Sequence, residues 1–210
     1  MKKRLLLFLC IFTLLLSTAA QAEDVTAADT SVPAPSAEKA DTLSPFARTR
    51  SYDGRFTDVD ASAWYHDAVA ALYEYGLTEG VSGSAYAPEG SVTIAELVTF
   101  AARLHALERG AAIPAAAAGE AWYRPYVRYL KAEKCLGDEL DGHYSEAATR
   151  AQTAGVLAPA LSTECYDERN AEAVTVGYAS HRRITDVDDY TPYQSDILRL
   201  YKWGIVGGVD

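Results

Sequence analysis

A repeat constrains the fold of this chain more than any other feature of its sequence. The segment FTDVDASAWYHDAVAALYEYGLTEGV, which starts at Phe56, is similar to ITDVDDYTPYQSDILRLYKWGIVGGVD, which starts at Ile184. The two segments align without a gap when Asp58 is placed over Asp186. The matched pairs include Thr57 with Thr185, Val59 with Val187, Tyr65 with Tyr193, Val69 with Ile197, Leu72 with Leu200, Gly76 with Gly204, Leu77 with Ile205, and Gly80 with Gly208. One structural unit is therefore used more than once.

A third and weaker copy lies between these two. Trp122 and Tyr123 repeat the pair Trp64 and Tyr65. Three further positions keep the same offset from their counterparts in the first copy: Val127 from Val69, Leu130 from Leu72, and Tyr144 from Tyr86. The sequence thus predicts three related units, which must pack on one another because one unit cannot bury its own apolar face.

Each unit is predicted to begin with a helix. In the first unit, Tyr65, Val69 and Leu72 recur at the spacing of one helix face. Gly76 and Gly204 follow at the place where a helix commonly ends in the left-handed conformation, which glycine adopts without a steric penalty. A loop rich in turn-forming residues, EGVSGSAYAPEGS, comes next in the first unit.

A second helix is predicted after the loop. The motif TIAE spans Thr93 to Glu96, and the motif TRAQ spans Thr149 to Gln152. Both have the form of a capping box, in which the threonine and the residue three positions later bind each other's backbone amides. The unit is therefore helix, loop, helix, and the predicted fold class is all-α.

These motifs resemble the S-layer homology (SLH) module: Phe or Ile before TDV, a nearby Trp, the G-apolar-x-x-G turn, an aromatic residue and Pro in the loop, and a T-R-A-E-like start of the second helix. The resemblance implies tandem modules packed as a pseudo-threefold bundle. We assign module 1 to residues 51–110, a degenerate module 2 to 111–165, and a connector with a truncated module 3 to 166–210. Because the third copy stops after its first helix and turn, we expect this chain to be a fragment of a longer protein.

The resemblance also implies a function and a partner. SLH-like modules hold exported proteins non-covalently to a cell-wall polysaccharide, a peptidoglycan-linked glycan that is often pyruvylated. A helix start attracts a carboxylate through its free amides, and an arginine there adds a planar pair of donors. Aromatic side chains suit the remainder of a sugar.

Carried over by position, the resemblance selects five candidate binding residues. The motif arginine is matched by Arg150 alone, because Ile94 holds that place in the first unit. The candidates are Thr149, Arg150, Gln152, Trp64 and Trp122. Packing is the competing role for the two tryptophans, and a surface ion pair is the competing role for Arg150.

The N-terminal residues predict export. Residues 1–22 have the basic start, short apolar run and small-residue cleavage site of a secretory signal peptide, and residues 23–50 have the composition of a flexible linker. We therefore expect a secreted, cell-wall or cell-surface protein with no membrane insertion after signal cleavage. The net charge is already −10, and it becomes more negative when Lys2, Lys3 and Arg4 are removed, so nucleic acid is not expected as a partner.

No catalytic or metal-binding pattern is present in the sequence, and we expect neither a cofactor nor an enzyme activity. Asp58 and Asp186 begin an EF-hand-like pattern, but Ala63 and Val69 stand where that pattern requires Gly and Glu. We expect both aspartates to cap a helix start instead. The four histidines lack metal-ligand spacing: His66, His105, His143 and His181.

Two cysteines would survive signal cleavage, Cys135 and Cys165. Cys135 aligns with Leu77 and Ile205, which favours a small core residue, although export would permit a disulfide with Cys165.

Two other interpretations of function fit the same sequence. The chain could be the attachment region of a longer exported enzyme, or a structural and assembly module that has lost glycan binding.

Overall fold

The protein was analysed as a computed structural model, which describes residues 47–162, 169–170, 184 and 186–207. The predicted signal peptide, most of the predicted linker, and Cys165 lie outside these residues. The described part of the chain contains helices and no strand, which confirms the all-α fold class. The helices are α1 (His66–Glu74), α2 (Ile94–Arg109), α3 (Arg124–Ala132), α4 (Arg150–Ala160) and α5 (Gln194–Lys202).

The first helix of each unit ends in the same way. Gly76 after α1 and Gly204 after α5 have φ angles of 70° and 68°, as the sequence predicts. Lys134 takes the same place after α3 with a φ of 60°, although it carries a side chain. In all three cases the next residue donates its amide back to the helix: Leu77 to Leu72 O at 2.9 Å, Cys135 to Leu130 O at 2.8 Å, and Ile205 to Leu200 O at 2.9 Å.

The second helices begin with the predicted capping boxes. At the start of α2, the Glu96 amide donates to Thr93 Oγ1 at 3.3 Å, and the Thr93 amide donates to Glu96 Oε2 at 2.8 Å. At the start of α4, the Gln152 amide donates to Thr149 Oγ1 at 3.2 Å, and the Thr149 amide donates to Gln152 Oε1 at 2.8 Å. Both capping predictions are therefore confirmed.

α2 is the centre of the described bundle. It packs on α3 and on α4, and α4 packs on α5. The main core draws buried side chains from all five helices or the turns that end them, including Leu72, Leu97, Leu130, Leu157 and Leu200. The units thus bury one another's apolar faces, as the repeat requires. Cys135 belongs to this core and carries a free thiol, which confirms its interpretation as a small core residue.

The expectation that Asp58 and Asp186 cap helix starts is wrong. Neither α1 nor α5 receives a hydrogen bond from a capping side chain. Asp58 instead accepts the backbone amides of Tyr86 at 2.9 Å and Ala87 at 2.7 Å, so that it holds the loop before α2. A carboxylate can bind loop amides as well as helix amides, and nothing in the TDV motif distinguishes the two.

Short segments before the first and third units bind the ends of their helices. The Thr49 amide donates to Glu74 O at 2.9 Å at the end of α1. The Asn170 amide donates to Lys202 O at 3.0 Å, at the equivalent place in α5. Helix ends leave carbonyl groups without intrahelical partners, and these segments satisfy some of them.

Candidate functional site

The start of α2 is closed by a loop of the second unit. The Ile94 amide donates to Glu146 O, and the Ala95 amide donates to Tyr144 O, both at 2.9 Å. Thr93 also forms an antiparallel bridge with Ala147. Because the first-turn amides of α2 already have partners inside the protein, they are not available to an anion.

The start of α4 has open donors. Within the part of the chain that the structure describes, the backbone amides of Arg150 and Ala151 donate to no group, and the Arg150 guanidinium forms neither a hydrogen bond nor an ion pair. The Arg150 side chain is exposed. Since unpaired amides and the helix dipole both favour negative charge at a helix start, this end of α4 has the chemistry that attracts an anion.

A first groove, which we call groove A, lies between the loop before α2 and one side of that helix. Its volume is about 460 Å³, and it is lined mainly by apolar and aromatic side chains. Thr99 lines this groove, is only 7% exposed, and has a buried hydroxyl without a hydrogen-bond partner. Arg103 also lines groove A, and it donates to Tyr126 Oη at 3.2 Å. Groove A is thus an apolar cleft with a few polar groups, the usual composition of a ligand site.

The Asp58 carboxylate shapes one wall of groove A. Burial opposes its ionisation, but the backbone amides of Tyr86 and Ala87 donate to it and hold the pKa of Asp58 below its ordinary value. Burial raises the pKa of the Tyr86 hydroxyl, which therefore stays protonated at neutral pH. The ionised carboxylate of Asp58, which belongs to the TDV motif, therefore holds the loop that forms this wall of groove A.

A second groove, groove B, lies at the start of α2. Its volume is about 390 Å³, and its lining residues are Thr93, Ala95, Glu96, Trp122, Tyr123, Arg124, Gly142, Tyr144 and Ser145. The Tyr123 and Tyr144 rings pack with their centroids 5.0 Å apart. The Arg124 guanidinium lies 5.9 Å from the centroid of the Tyr123 ring. Groove B therefore combines aromatic surfaces with one cationic side chain.

Trp122 is the candidate residue that both grooves share. It is 55% exposed, and its ring stands edge-on to Tyr123 at 5.6 Å. Trp64 repeats this arrangement on Tyr65 at 5.4 Å and is 64% exposed. With more than half of each side chain exposed, neither indole is a core residue.

The structure does not bring the five candidates into one cleft. Trp122 lines grooves A and B, whereas Trp64, Thr149, Arg150 and Gln152 line neither of them. Thr149 and Gln152 are engaged in the capping box at the start of α4.

The contact between α4 and α5 differs from the contact that forms groove A. The Tyr193 ring lies so close to Gly155 that a Cβ added there would come within 2.1 Å of a ring carbon. Tyr193 itself has a φ of 59°, a left-handed conformation that is rare for a residue with a side chain. The Tyr193 side chain therefore fills the space beside Gly155 between α4 and α5.

Sequence reasoning missed three residues of the grooves. Asp58 was assigned to the wrong segment, Thr99 resembles an ordinary helix residue, and Arg124 was not singled out. Only Arg124 carries a usable signal, because it directly follows the repeated tyrosine in WYRPY.

Of the described residues, none form a group of three His, Cys, Asp or Glu side chains placed to hold a metal ion. No helix in the described ranges has the length and apolar character to cross a membrane.

The first unit is similar to a known family and to one known surface-layer protein. Residues 55–97 match the family described as S-layer homology domain. A stretch of 44 residues is 50% identical to the Surface-layer 125 kDa protein of Lysinibacillus sphaericus, and this stretch covers 21% of the present chain and 4% of that protein. No solved structure matches the chain. One S-layer homology domain is therefore found in this chain, at residues 55–97, where it supplies Asp58, the loop wall of groove A and the start of α2.

Proposed function

We propose that this chain binds a cell-wall polysaccharide non-covalently and so attaches an exported protein to the cell surface. The observation that carries the proposal is the open start of α4, where the amides of Arg150 and Ala151 and the Arg150 guanidinium have no hydrogen-bond partner among the described residues. Three donors of this kind suit the carboxylate of an acidic sugar. The S-layer homology match at residues 55–97 supports a surface location for this activity.

The proposed organisation is three tandem modules in a pseudo-threefold bundle. Module 1 covers residues 51–110, module 2 covers 111–165, and 166–210 holds the connector and the beginning of module 3. The support comes from the left-handed residue and the returning amide that end α1, α3 and α5 alike. Support also comes from the matching capping boxes at the starts of α2 and α4.

The proposed ligand is a pyruvylated polysaccharide linked to peptidoglycan. Its carboxylate would lie at the start of α4, with Arg150 supplying two N–H donors and the Thr149–Gln152 capping box keeping the helix start rigid. The exposed indoles of Trp64 and Trp122 would take the apolar faces of sugar rings. None of these roles requires chemistry on the ligand, so the proposed activity is binding rather than catalysis.

The test is sedimentation of the mature chain with purified wall sacculi. Sacculi that keep their secondary polysaccharide are expected to carry the protein into the pellet, and sacculi from which this polymer has been stripped are not. Equal binding to bare peptidoglycan would contradict the proposal. Protein that stays in the supernatant with both preparations would favour the alternative role in assembly, which size-exclusion chromatography of the chain alone would then examine.

A variant locates the anion site. Arg150→Ala is expected to weaken binding by about tenfold or more, because a hydrogen bond to a charged group contributes about 1.5–3 kcal/mol. Arg128→Ala is the matched control, since Arg128 is also exposed but pairs with Glu120 away from the start of α4. Unchanged affinity of the Arg150 variant, with an unchanged circular dichroism spectrum, would remove Arg150 from the site.

A further inference from the structure

We propose that Arg124 is the anion-binding residue of groove B and replaces the arginine that the first unit lacks. This inference rests on the proposed function and assigns a residue to it that the motif does not contain. Ile94 holds the motif position in α2, and its side chain is 0% exposed. It is a core residue and cannot contact a ligand.

The backbone cannot supply the missing positive charge in this groove. The amides of Ile94 and Ala95 already donate to Glu146 O and Tyr144 O. The amide of Glu96 donates to Thr93 Oγ1 in the capping box. An anion in groove B therefore cannot bind the first-turn amides of α2, and a positive charge beside it must come from a side chain.

Arg124 is the cationic side chain among the residues that line groove B. Its guanidinium forms no hydrogen bond or ion pair with any residue in the described ranges and lies 5.9 Å from the centroid of the Tyr123 ring. The guanidinium keeps its five N–H donors free, and the aromatic face orients it.

The nearby carboxylates are already engaged. Glu120 pairs with Arg128, and Asp141 accepts Lys131 Nζ at 2.7 Å. Glu96, which lines the groove, accepts both the amide and the hydroxyl of Thr93 at 2.8 Å. Arg124 forms no ion pair with these acids among the described residues, but it lies close enough to Glu120 and Asp141 to interact with their charges; its N–H donors remain available to a ligand.

The two unit boundaries place arginine at alternative positions. Two sequence positions flank each boundary: the residue after the capping threonine of one unit, and the residue after the repeated tyrosine of the next. At the first boundary these residues are Ile94 and Arg124, and at the second they are Arg150 and Gln194. Each boundary thus has one arginine, on opposite helices. The first groove keeps a cation although its motif arginine is absent.

The ligand class that follows is the same for both boundaries. A planar guanidinium beside the exposed Trp122 indole suits an acidic carbohydrate, in which a carboxylate meets the arginine and a sugar ring meets Trp122. A neutral glycan would leave Arg124 without a partner. The inference therefore predicts that anion recognition persists in the first groove.

The test compares variants of the mature chain by sedimentation with sacculi that keep their secondary polysaccharide. Arg124→Ala and Arg124→Gln are each expected to weaken binding by about tenfold or more, because each removes a charge-assisted contact. Arg124→Gln copies the neutral residue found at Gln194. Arg124→Lys is expected to keep part of the affinity, since it retains charge but not the planar donors. Arg48→Ala is the control and is expected to change binding by less than twofold, because Arg48 is exposed, pairs with Glu74 and lines neither groove.

Two further measurements separate binding from folding. The thermal midpoints of the Arg124 variants are expected to equal that of the parent chain, because Arg124 is exposed and forms no ion pair. The parent's affinity is expected to fall as salt rises, and this slope is expected to be shallower in Arg124→Ala. If the parent binds and both neutral Arg124 variants bind within twofold of it, the assignment of Arg124 is wrong. If the parent itself does not bind, the proposed function fails as well.

Discussion

Glycine at position 134 is expected to make the protein more stable than alanine at the same position. Lys134 ends α3 with a φ of 60°, whereas glycine holds the same place after α1 and α5. The left-handed conformation costs a residue with a Cβ about 1–2 kcal/mol. Glycine removes this cost, but it also makes the unfolded chain more flexible, which returns about 0.4–1 kcal/mol. The net gain in the free energy of unfolding, relative to alanine at this position, is about 0.5–1 kcal/mol.

A second substitution separates backbone strain from charge. Lys134 lies just past the end of α3, where a positive charge is itself worth about 0.3–1 kcal/mol. Lys134→Ala removes the charge and keeps the Cβ, so it serves as the reference for Lys134→Gly. The comparison between these two variants isolates the conformational term.

Urea unfolding and thermal unfolding followed by circular dichroism measure the difference. Relative to Lys134→Ala, the glycine variant is expected to raise the urea midpoint with an unchanged m-value and to raise the melting temperature by about 1–3 °C. A glycine variant that is equal to or less stable than the alanine variant would refute the reasoning. It would mean that α3 ends without strain.

Two other predictions concern groove A. Thr99→Val is expected to leave the free energy of unfolding in urea unchanged or to raise it by about 1 kcal/mol. The reason is that the buried Thr99 hydroxyl has no hydrogen-bond partner and that valine has nearly the same shape. A decrease of more than about 1 kcal/mol would show that the hydroxyl has a partner. Asp58 has a lowered pKa in the fold, so its contribution to stability is complete above the ordinary pKa of an aspartate and is lost as the pH falls through the lowered value. Asp58→Asn is therefore expected to lower the free energy of unfolding by about 1 kcal/mol at pH 7 and to flatten its decline below about pH 4. An unchanged acid-unfolding profile would contradict the stabilising role of the Asp58 carboxylate.

The repeated local signals in the sequence predict the helices and their ends. The spacing of Tyr65, Val69 and Leu72, the two capping boxes and the glycines after α1 and α5 depend on short stretches of chain, and the structure contains all of them. No sequence signal predicts the left-handed conformation of Lys134, because its residue type disfavours that conformation. The amide that Cys135 donates to Leu130 O maintains the helix end all the same.

The grooves could not be predicted in the same way, because they depend on contacts between units. Asp58 binds a loop, and no local pattern separates that role from helix capping. The closure of the α2 start by Tyr144 O and Glu146 O involves backbone atoms, which any sequence would supply. The position of Tyr193 against Gly155 likewise requires the packing of α5 on α4.

The bridge between Thr93 and Ala147 limits how this protein can be divided by engineering. A fragment cut between the first and second units would expose the amides of Ile94 and Ala95, together with an apolar side of α2. Residues 55–97 grafted alone onto a carrier protein would thus lack the backbone carbonyls of the second unit that bind these amides. The smallest transferable piece is a pair of neighbouring units, in which the later one completes the earlier.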